Sequence, residues 1–152
     1  AIEDINFVKK SSNEFGSQCI VVSVDFFKND DNYYIYNNKI NKIIEINIFD
    51  YLKKIEDNGA GEIFLNSVNR DGMGNGYDLQ FLSKISKNAN IPIIGCGGAG
   101  DWYDMFDLFN ETAVEAVAAA NIFHYKDQSV FFAKKFLYEK KINLRKPDLL
   151  NI

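Results

Sequence analysis

Ala60-Gly61-Glu62-Ile63-Phe64-Leu65-Asn66-Ser67-Val68-Asn69-Arg70-Asp71-Gly72-Met73-Gly74-Asn75-Gly76-Tyr77-Asp78 is the stretch on which the fold turns. Its apolar core, Ile63 to Leu65, is bounded by glycine before and polar residues after, which is the pattern of a short strand. A loop with Gly72, Gly74 and Gly76 follows, then a helix start near Tyr77. Arg70 and Asp71 place a cation and a carboxylate side by side in that loop, close to the strand's C-terminal end. That is where α/β folds keep their chemistry.

The same unit recurs outward from this stretch. Upstream, Cys19 to Asp25 is an almost unbroken apolar, β-branched run, which predicts a strand buried on both faces, as in a parallel sheet. A helix is predicted before it over 4–15, with Asp4 as N-cap, Ile5, Val8 and Phe15 near one face, and Gly16 as its end. Residues 26–46 read as a β-hairpin, with Tyr33 to Tyr36 in one strand, a turn at Asn37-Asn38, and Lys39 to Ile46 in the other. A helix over 48–57 closes at Asn58-Gly59. Downstream, a helix from Tyr77 to Lys87 leads to a strand from Ile91 that enters Gly97-Gly98-Ala99-Gly100. Asp101 caps a fourth helix, Ala113 to Ala120 form a small-residue strand ending at Asn121, and a last helix runs from about Ser129 to Lys140.

Strands alternating with helices argue an α/β fold with a parallel sheet and right-handed crossovers. The even spacing gives one domain over 1–152. Four strand–helix units are too few for a closed eight-stranded barrel, which takes about 250 residues. Either a small open α/β domain or half a barrel remains, and the leading helix, shaped like the tail of a preceding unit, favours the half-barrel.

The 152 residues are 47% hydrophobic and 25% charged, an ordinary globular balance. A net charge of −4 disfavours nucleic acid or a membrane surface as partner. Apolar runs fall far short of the roughly 18 residues of a membrane span. Cys19 and Cys96 are expected as buried, reduced thiols, and no Cys/His cluster suggests a metal.

Asp25 is the sharpest chemical candidate. A carboxylate directly after a buried strand is costly unless solvated, paired or used. The glycine cluster at 97–100, close to a helix start, offers backbone amides suited to phosphate. Ala118-Ala119-Ala120-Asn121 would bring a second backbone approach beside it, since consecutive strands neighbour each other. The lone His124 is expected to pack. Arg70 could bind phosphate or anchor its loop through Asp71.

Phe15 to Asp25, Gly59 to Gly76, Gly97 to Gly100 and Ala118 to His124 together resemble the cyclase subunit of imidazole glycerol phosphate synthase. That family is a (β/α)8 TIM barrel of the ribulose-phosphate-binding type, and the likeness covers its C-terminal half, strands 5 to 8. The resemblance implies closure of an imidazole ring in histidine biosynthesis, a lyase reaction in the cytoplasm. Ammonia would come from a glutaminase subunit, the substrate would be a phosphorylated ribonucleotide, and no cofactor or metal is expected. It implies Asp25 as the general acid/base, Asn66 and Asp71 near the substrate, Gly97, Gly98, Ala120 and Asn121 on a phosphate, and Glu62 at the gate where ammonia enters. The first catalytic aspartate, its lysine and the first phosphate site belong to the other half, so this chain alone is not expected to turn over substrate. Departures from the family pattern fall at Asn66, Asn69, Cys96, Asn121 and in the hairpin. They keep open an alternative, a related ammonia-channelling partner of an amidotransferase in surface-polysaccharide sugar amidation.

Overall fold

The computed structural model describes residues 1–125 and 130–147. Six strands form one sheet in the order β3-β2-β1-β4-β5-β6. These are β1 (Val21–Asn29), β2 (Asn32–Asn37), β3 (Lys42–Ile44), β4 (Glu62–Ser67), β5 (Ile93–Cys96) and β6 (Ala116–Val117). β1, β4, β5 and β6 run parallel, each linked to the next through helix, as the alternating pattern predicts. β2 and β3 extend the sheet antiparallel beside β1.

The helices are α1 (Asn6–Phe15), α2 (Ile48–Asp57), α3 (Leu79–Ser86), α4 (Trp102–Glu111), α5 (Ile122–Tyr125) and α6 (Val130–Glu139). Their starts follow local capping chemistry. The Asn47 side chain accepts from the amides of Phe49 and Asp50, and Asp78 accepts from Phe81. Asp101 and Asp104 form a reciprocal capping box on α4. At α1 the expected cap is displaced: Ile5 holds the cap position, while Asp4 reaches the Asn6 amide. Ser129, expected to open the last helix, lies outside the described residues.

One layer of helices covers one face of the sheet. Val22, Val24 and Phe26 of β1, Ile63 and Leu65 of β4, and Ile93 of β5 are buried there against Ile55, Phe81, Leu82 and Leu108. Phe81 is central, with its ring centroid 4.4 Å from Phe26 and 4.3 Å from Tyr33.

Several expectations need correction. β1 is not buried on both faces, since its residues alternate and Val21 is 51% exposed. The second face carries Val21, Ser23, Asp25, Glu62, Phe64, Asn66, Ile94 and Cys96, with no layer over it among the described residues. Cys19 is exposed in a 3-10 turn rather than buried in the strand, and Phe15 points outward. The hairpin is a three-stranded meander. β1 runs on to Asn29 and turns at Asp30, whose backbone is left-handed, before β2 begins. The Asn37-Asn38 turn is longer than expected, occupying residues 38–41 before β3. The last parallel strand is two residues, Ala116–Val117, instead of eight.

Candidate active site

The open face is built in rows set by strand register. Asp25 lies opposite Asn66, and Asn66 opposite Cys96, where the parallel ladder of β1, β4 and β5 ends on its C-terminal side. Asn66 and Cys96 are the last residues of β4 and β5 on the open face, while β1 runs on past Asp25 to Asn29 in antiparallel pairing with β2. Parallel pairing therefore joins residues of three separate strands in one chemical row.

Asp25 is half-buried, and both carboxylate oxygens are held. Oδ1 accepts a hydrogen bond from Asn66 Nδ2 at 2.9 Å, and Oδ2 accepts one from Asn38 Nδ2. Asn66 keeps its own Oδ1 buried without a partner among the described residues. Cys96 ends the row. Burial pushes its thiol above the ordinary value, and the Asp71 and Asp25 carboxylates add to the rise, against the Gly97 amide that works the other way.

A narrow cleft adjoins this row. Asp71 and Gly72 line it from the β4–α3 loop, Cys96 to Ala99 from the β5–α4 loop, and Ala119 to Asn121 from the segment after β6. Gly97, Gly98, Ala120 and Asn121 are brought together as the sequence suggests. The expected amides at the start of α4 are already used, because Gly100 and Asp101 donate to Asp104, and Tyr103 and Asp104 donate to Asp101. The amides of Gly98, Ala99, Ala120 and Asn121 donate to no acceptor among the described residues, and these are the donors an anion could use. The Asn121 side chain has a second task, donating to the Gly72 carbonyl at 3.0 Å and tying the two loops together.

Glu62 stands at the other end of β4, beside Val21. Asn66 is four positions further along the strand, about 13 Å away. Its carboxylate forms no ion pair among the described residues.

Arg70 anchors its loop, though not through Asp71. Its guanidinium donates to the carbonyls of Asn75 and Gly76 and lies 3.9 Å from the buried Asp78 carboxylate. Asp78 also accepts from the Phe81 amide and the Tyr33 hydroxyl. His124 is exposed on α5 rather than packed. Asn69 does a strand's work with its side chain, accepting from the Lys28 amide at 2.6 Å and donating to the Lys28 carbonyl at 3.0 Å. An aspartate there could not make the second bond. Sequence reasoning missed Asn38, whose turn position gave no hint that its amide meets Asp25. A broad hollow between the meander and the starts of α2 and α3 includes none of Asp25, Asn66, Asp71 or Cys96.

Residues 1–129 match the family described as "Histidine biosynthesis protein". The chain is 41% identical over 152 residues to imidazole glycerol phosphate synthase subunit HisF of Buchnera aphidicola subsp. Baizongia pistaciae, covering 95% of this chain and 58% of that protein. It is 38% identical over 145 residues to the subunit of the same name from Saccharolobus solfataricus, with the same coverage of both chains. The chain spans little more than half the length of the relatives it matches.

Proposed function

The chain belongs to the histidine biosynthesis protein family, and from that premise we propose that it is the C-terminal half of a (β/α)8 barrel serving as the cyclase subunit of an imidazole glycerol phosphate synthase. The open face of the sheet is then the barrel interior, closed by the strands of the other half. The observation that carries the reading is the row Asp25–Asn66–Cys96 at the C-terminal side of the parallel ladder of three strands. Catalytic groups of barrels come from that side.

Asp25 moves protons during ring closure, held in place by the amides on both of its oxygens. The amides of Gly98, Ala99, Ala120 and Asn121 receive a phosphate of the ribonucleotide substrate, with Gly97 letting the loop approach β4. Asp71 at the cleft repels phosphate, so its partner is a ring or hydroxyl proton of the substrate. Asn66 offers its Oδ1, unpartnered among the described residues, to a donor on the same molecule. Ammonia enters past Glu62 at the opposite end of the sheet, where a glutaminase subunit docks, and travels along the interior face of β4. None of these steps draws on a cofactor, a metal, a nucleic acid or a membrane. No helix among the described residues is long and apolar enough to cross a membrane, and the proposed setting is the cytoplasm.

The test is ammonia-dependent cyclisation by the complete barrel carrying Asp25→Asn. The rate should fall about 10²- to 10⁴-fold, the range of general acid/base contributions. A rate equal to the parent's would refute the assignment of Asp25.

A further inference from the structure

Asn38 has no assigned part in this site, yet its side chain is one of two that hold the Asp25 carboxylate. It comes from the β2–β3 turn, an element separate from the parallel strands. The turn is shaped locally. Asn37 Oδ1 accepts from the Lys39 amide at 3.0 Å, the Ile40 amide donates to the Asn37 carbonyl, and Asn41 is left-handed. The base of the meander is fixed by ladder pairing of β2 to β1 and by Phe27 stacked on Tyr36, with ring centroids 6.1 Å apart. The Asn38 amide is thus delivered to Asp25 by a braced element.

Building on the reading of Asp25 as the acid/base, we propose that Asn38 is a positioning residue that sets the plane of the Asp25 carboxylate for proton transfer. One hydrogen bond, from Asn66 to Oδ1, leaves the carboxylate free to swing about its terminal torsion, which is intrinsically broad. A second bond to Oδ2, from another element, fixes that rotation. Each oxygen keeps a further lone pair for the substrate proton, so the clamp orients the group without blocking it. Asn66 lies in direct strand register with Asp25 and supplies the fixed donor. Asn38 supplies the donor that makes the geometry unique, and small errors in such geometry are costly to rate.

The experiment uses the complete barrel with ammonium chloride as ammonia source, and reads kcat and KM for the ribonucleotide substrate alongside the melting temperature. Asn38→Ala should lower kcat about tenfold, the worth of one charge-assisted hydrogen bond, with KM within about twofold. Asn38→Asp keeps the shape but has no N–H to give, and should fall at least as far. It decides the matter if Asn38→Ala lowers the melting temperature. Asp25→Asn runs in parallel. If Asp25→Asn is inactive while both Asn38 variants keep the parent kcat, the positioning role is wrong and the catalytic reading stands. If KM rises at constant kcat, Asn38 touches substrate instead, and the proposal also falls. If Asp25→Asn is fully active, the reading of the site fails and the proposal fails with it.

Discussion

Gly98→Ala tests whether the cleft is built by close approach of two backbones. Gly98 has φ of +113°, and a Cβ added there would lie 2.1 Å from the Gly76 carbonyl oxygen and 2.7 Å from its carbon. The same residues share a hydrogen bond, Gly76 N–H to Gly98 O at 2.9 Å. Alanine must therefore push the β4–α3 loop off the β5–α4 loop. The backbone conformation costs about 1–2 kcal/mol for a residue with a Cβ, and the broken hydrogen bond about 1 kcal/mol more, so the loss should be about 2–3 kcal/mol. In a chain of this size that lowers the melting temperature by about 4–12 °C. Gly74→Ala is the matched control. Its φ of +63° is also left-handed, but the nearest atom to its Cβ is 3.5 Å away at Gly100. Only the conformational cost applies, about 1–2 kcal/mol. Thermal melting of the two variants by circular dichroism settles the comparison. If Gly98→Ala melts at or above Gly74→Ala, the close approach does not explain the glycine.

Two further outcomes follow from burial. Leu108 is 0% exposed, and its Cδ2 lies 2.9 Å from where a Cβ on Gly95 would be. Leu108→Ala should cost about 2–5 kcal/mol in urea denaturation, and a loss below about 1 kcal/mol would contradict its place in the core. Iodoacetamide at pH 8 should label the exposed Cys19 well before Cys96, whose thiol is held above its ordinary value by burial, Asp71 and Asp25. The folded thiol keeps its proton to higher pH than the unfolded one, so the linked stability is intact below the ordinary value of 9.0 and is lost as pH rises beyond it. Faster labelling of Cys96 than of Cys19, read by mass spectrometry, would reverse that assignment.

Much of the framework could be read from residues in order. α2 begins and ends where its Asn47 cap and the Asn58-Gly59 stop place it, and α4 begins behind Asp101, because caps are local hydrogen bonds between near neighbours. The open end of the sheet was harder to foresee. Cys19 to Asp25 is apolar enough for two buried faces, but hydrophobicity does not say which layers exist to bury them. His124 and Cys19 are exposed for a related reason. Their neighbours in the chain are apolar, but apolar neighbours in sequence do not by themselves bury a side chain.

The sequence by itself determined the alternation of strand and helix, the carboxylate that ends the first apolar run, and the glycines and alanines of the cleft. These depend on period, caps and turn residues, which act over a few positions. The tertiary structure alone decided which groups meet. Asn66 reaches Asp25 through the parallel register of β4 on β1, Asn38 reaches it from a turn off the end of an antiparallel strand, and Arg70 finds Asp78 rather than its neighbour Asp71. Those contacts depend on strand register and loop closure, and neither is written in the spacing of residue types.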